Sequence, residues 1–103
     1  MQGMGQALME ELQYHEGQVT NLSLGEYKLP TMGDIPELHT VHVQSAGGPS
    51  PYGGKAIGEQ PVSSVAPAIV NAVLDATGIS LKELPITAEK VFQAMQQRDT
   101  SAS

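Results

Sequence analysis

Pro61-Val62-Ser63-Ser64-Val65-Ala66-Pro67-Ala68-Ile69-Val70-Asn71-Ala72-Val73-Leu74-Asp75-Ala76-Thr77-Gly78 is the stretch from which the fold is read. Val62, Val65, Ala66, Ile69, Val70, Val73 and Leu74 recur at helical spacing, which predicts a core-facing helix. Pro61 opens it, at a position where a missing N–H leaves no partner unserved. Gly78 closes it as the left-handed residue beyond the last turn. Pro67 falls in the second turn and should bend or loosen that end. With Ala72 and Ala76 as small neighbours, nearly every face is apolar or small, so the helix expects burial on several sides. A chain of 103 residues has little material to provide it.

Immediately upstream stands Gly53-Gly54-Lys55-Ala56-Ile57-Gly58-Glu59-Gln60. Glu59 falls at or just before the helix N-terminus, where unpaired backbone N–H groups and the helix dipole favour negative charge. Gly53, Gly54 and Gly58 let the backbone turn tightly and let a ligand come close to the main chain. The result is one carboxylate on a glycine-lined shelf. The bland alternative is ordinary loop-to-helix punctuation with an acidic cap residue. Gly53 and Gly58 have the outer spacing of a phosphate-binding loop, but Glu59-Gln60 stands where Lys-Ser/Thr is needed, and a carboxylate there repels phosphate.

Working outward, residues 45–52 form a loop by composition. Before it, Glu37-Leu38-His39-Thr40-Val41-His42-Val43-Gln44 alternates and predicts a strand. His39 and His42, three apart, would face opposite sides of that strand and share no metal ion. Residues 25–36 hold two prolines and two glycines, which forbid a regular element. Tyr27, Leu29, Met32 and Ile35 are nevertheless too apolar for a free linker, so an ordered crossing loop is expected. Residues 12–15 and 18–22 flank Glu16-Gly17 and read as a tight hairpin, with His15 exposed at its turn. Ala7, Leu8 and Leu12, opposite Glu10 and Glu11, predict a short amphipathic helix over residues 6–12, following Gly3 and Gly5. On the other side, residues 79–86 form a connector whose Leu81, Leu84 and Ile86 pack back. Thr87 caps a last helix over residues 88–95, and residues 96–103 are expected to fray as a flexible polar tail. The fold class is α+β: a short N-terminal helix, a β-hairpin plus a further strand, a buried helix and a short C-terminal helix.

The totals exclude several functions. A net charge of −6, with five scattered basic residues, argues against nucleic acid or an anionic membrane as partner. With no cysteine, the segment cannot hold a disulfide framework, a thiolate metal site or an iron–sulfur cluster. No apolar run approaches the ~20 residues of a membrane span and no signal-peptide pattern opens the chain, so a cytoplasmic setting is expected.

Taken in order, Gly3-Met4-Gly5-Gln6-Ala7-Leu8 with Glu10-Glu11, then Tyr27-Lys28-Leu29-Pro30-Thr31 and Asp34-Ile35-Pro36, then Lys55-Ala56-Ile57-Gly58-Glu59-Gln60-Pro61, carry a resemblance. Residues 72–78 and Leu84-Pro85-Ile86-Thr87-Ala88-Glu89-Lys90-Val91 continue it in one register. Over residues 1–95 the chain resembles the C-terminal part of the molybdenum-binding large subunit of the xanthine dehydrogenase/aldehyde oxidase family, the molybdenum hydroxylases. The resemblance implies part of a larger molybdopterin-binding domain, and hydroxylation of an aldehyde or N-heterocycle with water at a molybdenum–molybdopterin cofactor. In the family the glutamate that falls on Glu59 is the general base that deprotonates the molybdenum-bound hydroxyl. Ala56, Ile57 and Gly58 would then be the backbone shelf beside the cofactor. Gln60-Pro61 stands where the family commonly has Pro-Pro, a variation not expected to disturb the base.

The resemblance also implies what must come from elsewhere: the rest of the molybdenum-binding subunit, and FAD and 2Fe-2S sites on other domains or subunits. By itself the chain is expected to be inactive. The alternative is a non-catalytic remnant or assembly module that retains the fold, for which a homo-oligomer of the isolated chain would supply the missing burial.

Overall fold

The structure, a computed structural model, describes residues 1–101. Its elements in order are helix α1 (Gln2–Leu8), strands β1 (Tyr14–His15) and β2 (Gln18–Val19), helix α2 (Val62–Thr77) and helix α3 (Ala88–Ser101), with short 3-10 turns at Met32–Asp34 and Pro51–Gly53. The α+β class expected from the sequence is what forms, with α2 as its longest element.

Helix α2 starts where Pro61 places it. The Val62 N–H donates to the Glu59 carbonyl at 2.9 Å, and the Ser63 and Ser64 hydroxyls donate to the Gln60 and Pro61 carbonyls. Gly78 closes it at φ 71°, its N–H donating to the Leu74 carbonyl at 2.7 Å, the left-handed end that a residue without Cβ takes at least expense. Pro67 lies inside without ending the helix, and Ser63, whose carbonyl it cannot serve, is exposed to water. The expected burial on several sides is not reached: no α2 residue is fully buried, and Val62, Val65, Ala66, Ile69, Val70 and Val73 are half-covered. One neighbour, α1, cannot enclose a helix that is apolar on most of its circumference.

Helix α1 runs over Gln2–Leu8, four residues earlier than the periodicity suggested, with Gly3, Gly5 and Ala7 buried. The glycines lie inside the helix because packing, and not helix propensity, decides there. A Cβ on Gly3 would lie 2.7 Å from Val65 Cβ, and one on Gly5 would lie 2.9 Å from Pro30 Cδ. Gly3 therefore lets α1 press on α2, while Gly5 admits the loop that crosses over it. That loop is ordered, as expected: the Tyr27 hydroxyl donates to Glu10 Oε1 at 2.9 Å, and Thr31 and Asp34 bond to each other across the 3-10 turn.

The hairpin forms in the expected register, Tyr14 opposite Val19 and His15 opposite Gln18. Glu16 and Gly17 both take positive φ, 49° and 81°, the primed turn that matches strand twist. Asn21, the buried polar residue, braces its base: Oδ1 accepts from the Gln13 N–H and Nδ2 donates to the Glu11 carbonyl. The further strand over residues 37–44 does not form. The alternation is present, but a strand needs a hydrogen-bonded neighbour, and among the described residues the β1–β2 pair is the whole sheet. Val41 and Val43 are 82% and 91% exposed in consequence.

The small core sits where the connector between α2 and α3 returns to α1. Ile86 is 2% exposed, Ala7 is fully covered, and the Ile86 N–H donates to the Ala7 carbonyl. Helix α3 begins at the expected Thr87 cap, whose hydroxyl accepts the Lys90 N–H. It continues past residue 95 to Ser101, so the expected fraying tail is helical there; Ala102 and Ser103 lie outside the described residues. Thr100 and Ser101 hydroxyls bond back to Gln96 and Gln97 carbonyls, and Arg98 Nη1 donates to the Thr77 carbonyl at the end of α2. Among the described residues no helix is long and apolar enough to cross a membrane.

Candidate functional site

The loop that precedes α2 braces itself. The Gly48 N–H donates to the Gly53 carbonyl at 3.0 Å and the Gly53 N–H to the Ser50 carbonyl at 2.9 Å. The Ser50 hydroxyl donates to the Gly54 carbonyl, and the Lys55 ammonium donates to the Ser45 hydroxyl at the base. A Cβ on Gly48 would come within 2.7 Å of the Gly54 carbonyl oxygen, and one on Gly47 would lie 3.3 Å from Gly53 Cα. Two glycine pairs thus let the arms of the loop lie backbone against backbone. Gly53 is in backbone contact with Gly47, whereas a Cβ on Gly54 would meet only the Ser50 hydroxyl, at 3.3 Å. The signal in the sequence was the repeated Gly-Gly doublet, which composition alone reads as loop.

From this clasp the chain emerges as an exposed strip, residues 54–60, and turns into α2. Ala56, Ile57, Gly58 and Glu59 lie along this exposed strip. The backbone N–H groups of Ala56, Ile57 and Glu59 have no partner among the described residues. The Gly58 N–H donates to Gln60 Oε1 at 2.7 Å. A Cβ on Gly58 would meet only that oxygen, at 3.6 Å, so the backbone there is open to close approach. The Glu59 carbonyl is engaged by Val62, while its carboxylate makes no hydrogen bond or ion pair with another described residue.

This arrangement offers free backbone donors, an unshielded glycine and an unengaged carboxylate within four residues. Such a donor set fits one wall of a site for a polar, close-packed ligand, with the carboxylate available to take a proton. Nothing in the chain encloses the strip, since residues 54–60 are all exposed. The histidines contribute nothing to it. His15 ends β1, and His39 Nε2 lies 3.3 Å from Glu37 Oε1 on an exposed segment. Among the described residues no three His, Cys, Asp or Glu side chains gather where they could hold a metal ion.

Comparison with known proteins gives a consistent picture. A family profile for a molybdopterin cofactor-binding domain matches residues 1–36. The xanthine dehydrogenase molybdenum-binding subunit of Escherichia coli O157:H7 is 42% identical over 93 residues, covering 88% of this chain and 12% of that protein. The aldehyde oxidoreductase molybdenum-binding subunit PaoC of Escherichia coli (strain K12) is 36% identical over 96 residues, covering 90% of this chain and 13% of that one. The crystal structure of quinoline 2-oxidoreductase from Pseudomonas putida 86 superposes with a TM-score of 0.82 at 34% identity, over 93% of this chain and 13% of that one. The chain thus spans about an eighth of the length of the relatives it matches.

Proposed function

The chain belongs to the molybdenum hydroxylase family, matching a segment of that family's molybdenum-binding subunits, and from this we propose that it supplies one wall of the cofactor site together with the general base, Glu59. The observation that carries this reading is the unengaged Glu59 carboxylate, set between open backbone at Gly58 and the first turn of α2. Bound molybdenum–molybdopterin would supply the two-electron oxidation of the substrate carbon and the transfer of a water-derived oxygen to it. The chain's own residues have simpler tasks. The N–H groups of Ala56, Ile57 and Glu59 would donate to polar atoms of the cofactor, and Gly58 would allow the approach because no Cβ intervenes. A carboxylate oxygen of Glu59 accepts the proton released during hydroxylation, the role of a general base. Holding Glu59 at the helix start fixes its backbone, so the carboxylate searches few positions before meeting that proton.

The substrate class is an aldehyde or N-heterocycle, in keeping with the names of the relatives. The partners are the rest of the molybdenum-binding subunit and the FAD and iron–sulfur domains or subunits that carry electrons away. The isolated chain is inactive on this reading, because the exposed strip neither encloses a ligand nor excludes water.

The test is Glu59→Gln in the molybdenum-loaded enzyme. Molybdenum content by elemental mass spectrometry stays at the wild-type level, while turnover per molybdenum falls by at least ~10²-fold, the low end for a lost general base. Undiminished turnover at full molybdenum content would remove Glu59 from the chemistry and leave the chain as a structural module.

A further inference from the structure

Glu59 is bracketed by two hydrogen bonds of different kinds. On its C-terminal side its own carbonyl accepts the Val62 N–H, a bond that any helix start provides. On its N-terminal side the preceding amide, Gly58 N–H, donates to the side-chain oxygen of Gln60 at 2.7 Å. That second bond is a choice of side chain. Gly58 is a residue with no Cβ to limit its torsions, a Cβ built there would meet only that same Gln60 oxygen, at 3.6 Å, and its neighbours Ala56 and Ile57 are exposed and unbonded through their N–H groups. Without the Gln60 amide, the backbone from Lys55 to Glu59 would be tied at Lys55 and at the Glu59 carbonyl only, with its most flexible residue directly before the carboxylate.

We propose that Gln60 is a positioning residue for Glu59: its side-chain oxygen holds the Ile57–Gly58 peptide, closing a hydrogen-bonded ring that contains Glu59, and so aims the carboxylate. The inference rests on the reading of Glu59 as base. Chain length supports it, since Gln carries an acceptor far enough along the side chain to reach back two residues across Glu59. Chemistry supports it too. The neutral amide accepts from Gly58 without placing a second negative charge beside Glu59, which a Glu in this place would do. The same bond also occupies the Gly58 N–H, so that the donors left to a ligand are those of Ala56, Ile57 and Glu59. A loop that carries a proton-transfer group is sensitive to such a restraint, because a displacement of about 1 Å can lower turnover about 10²-fold.

The experiment uses the molybdenum-loaded enzyme containing this chain, with Gln60→Met and Gln60→Glu. Met keeps the length and removes the acceptor, whereas Glu keeps both length and acceptor. Hydrogen–deuterium exchange resolved to the Gly58 amide gives a reading independent of activity. Exchange is expected to rise about tenfold in Gln60→Met and to return to the wild-type rate in Gln60→Glu. Turnover per molybdenum with the enzyme's own oxidisable substrate is expected to fall about tenfold in Gln60→Met, with KM unchanged. Equal Gly58 exchange in wild type and Gln60→Met, or unaltered kcat in that variant, overturns the inference. A loss that appears in KM alone, or vanishes once rates are expressed per molybdenum, overturns it as well. These results leave the base reading intact so long as Glu59→Gln is inactive; if Glu59→Gln is fully active, that reading falls separately.

Discussion

Asp34 receives two bonds from one neighbour, the Thr31 backbone N–H and the Thr31 hydroxyl, each 2.7 Å from Oδ2. The backbone bond first, and the hydroxyl second, hold its carboxyl below the ordinary value of 3.8. The sign of the resulting pH dependence follows from linkage. A carboxyl whose folded-state value is depressed adds stability that is fully present above the unfolded-state value, and loses it as pH falls through the folded one. Acid should therefore open the turn at Met32–Asp34 only below the usual aspartate range. Carbon-detected NMR of the labelled chain checks this: the Asp34 carboxyl and the Thr31 amide should titrate together, with a midpoint below 3.8. A midpoint at the ordinary value would mean that the turn is not held. Tyr27 is the opposite case. Its bond to Glu10 pushes the phenol up, so that tie is present below the ordinary value of 10.0 and is lost only as pH rises through the folded one. The Tyr27 bond ties the crossing loop to Glu10, just past the end of α1, while the Thr31–Asp34 bonds brace the loop within itself.

At the scale of elements, the α1–α2 contact depends on the missing side chain of Gly3. Alanine would favour the helix intrinsically by about 1 kcal/mol. Its Cβ, however, would sit 2.7 Å from Val65 Cβ, 2.9 Å from Val65 Cγ2 and 3.2 Å from the Val62 carbonyl oxygen. Overpacking of this kind destabilises by about 1–3 kcal/mol, so the clash outweighs the propensity. Gly3→Ala is expected to lower the melting temperature of the assembled subunit, and adding Val65→Ala should recover part of the loss. A Gly3→Ala protein as stable as wild type would show that α1 is free to move off α2. The same contact explains what the sequence reveals and what it conceals. Helix α2, the Glu16-Gly17 turn, the Thr87 cap and the place of Glu59 before Pro61 are legible because each is decided by residues a few positions apart. The start of α1 is not, since two glycines argue locally against a helix and only Val65 and Pro30, far along the chain, explain them. The Gly47-Gly48 and Gly53-Gly54 clasp is concealed for the same reason, being a pairing across a loop. Residues 37–44 have the alternation of a strand, but pattern cannot supply the neighbour that a strand requires.

For the molecule as a whole, size and burial point the same way. The radius of gyration is 18.4 Å, against about 13 Å for a compact domain of roughly 100 residues. Ala7, Pro85 and Ile86 are the buried apolar side chains among the described residues, and Phe92 is 60% exposed. Leu8, Val73, Ile86, Val91, Phe92 and Met95 line an open apolar groove of about 520 Å³ where α1, α2 and α3 meet. On the proposed reading, the rest of a molybdenum-binding subunit would cover the apolar faces that this chain leaves exposed. The isolated chain is therefore expected to melt broadly, without a cooperative transition by circular dichroism, and to bind an apolar dye such as ANS. A sharp transition in a protein whose light-scattering mass is that of the monomer would contradict this. A sharp transition at twice that mass would mean that a second copy covers the exposed faces, and would favour the assembly-module reading, because Glu59 could then be held in a stable fold with no cofactor to serve.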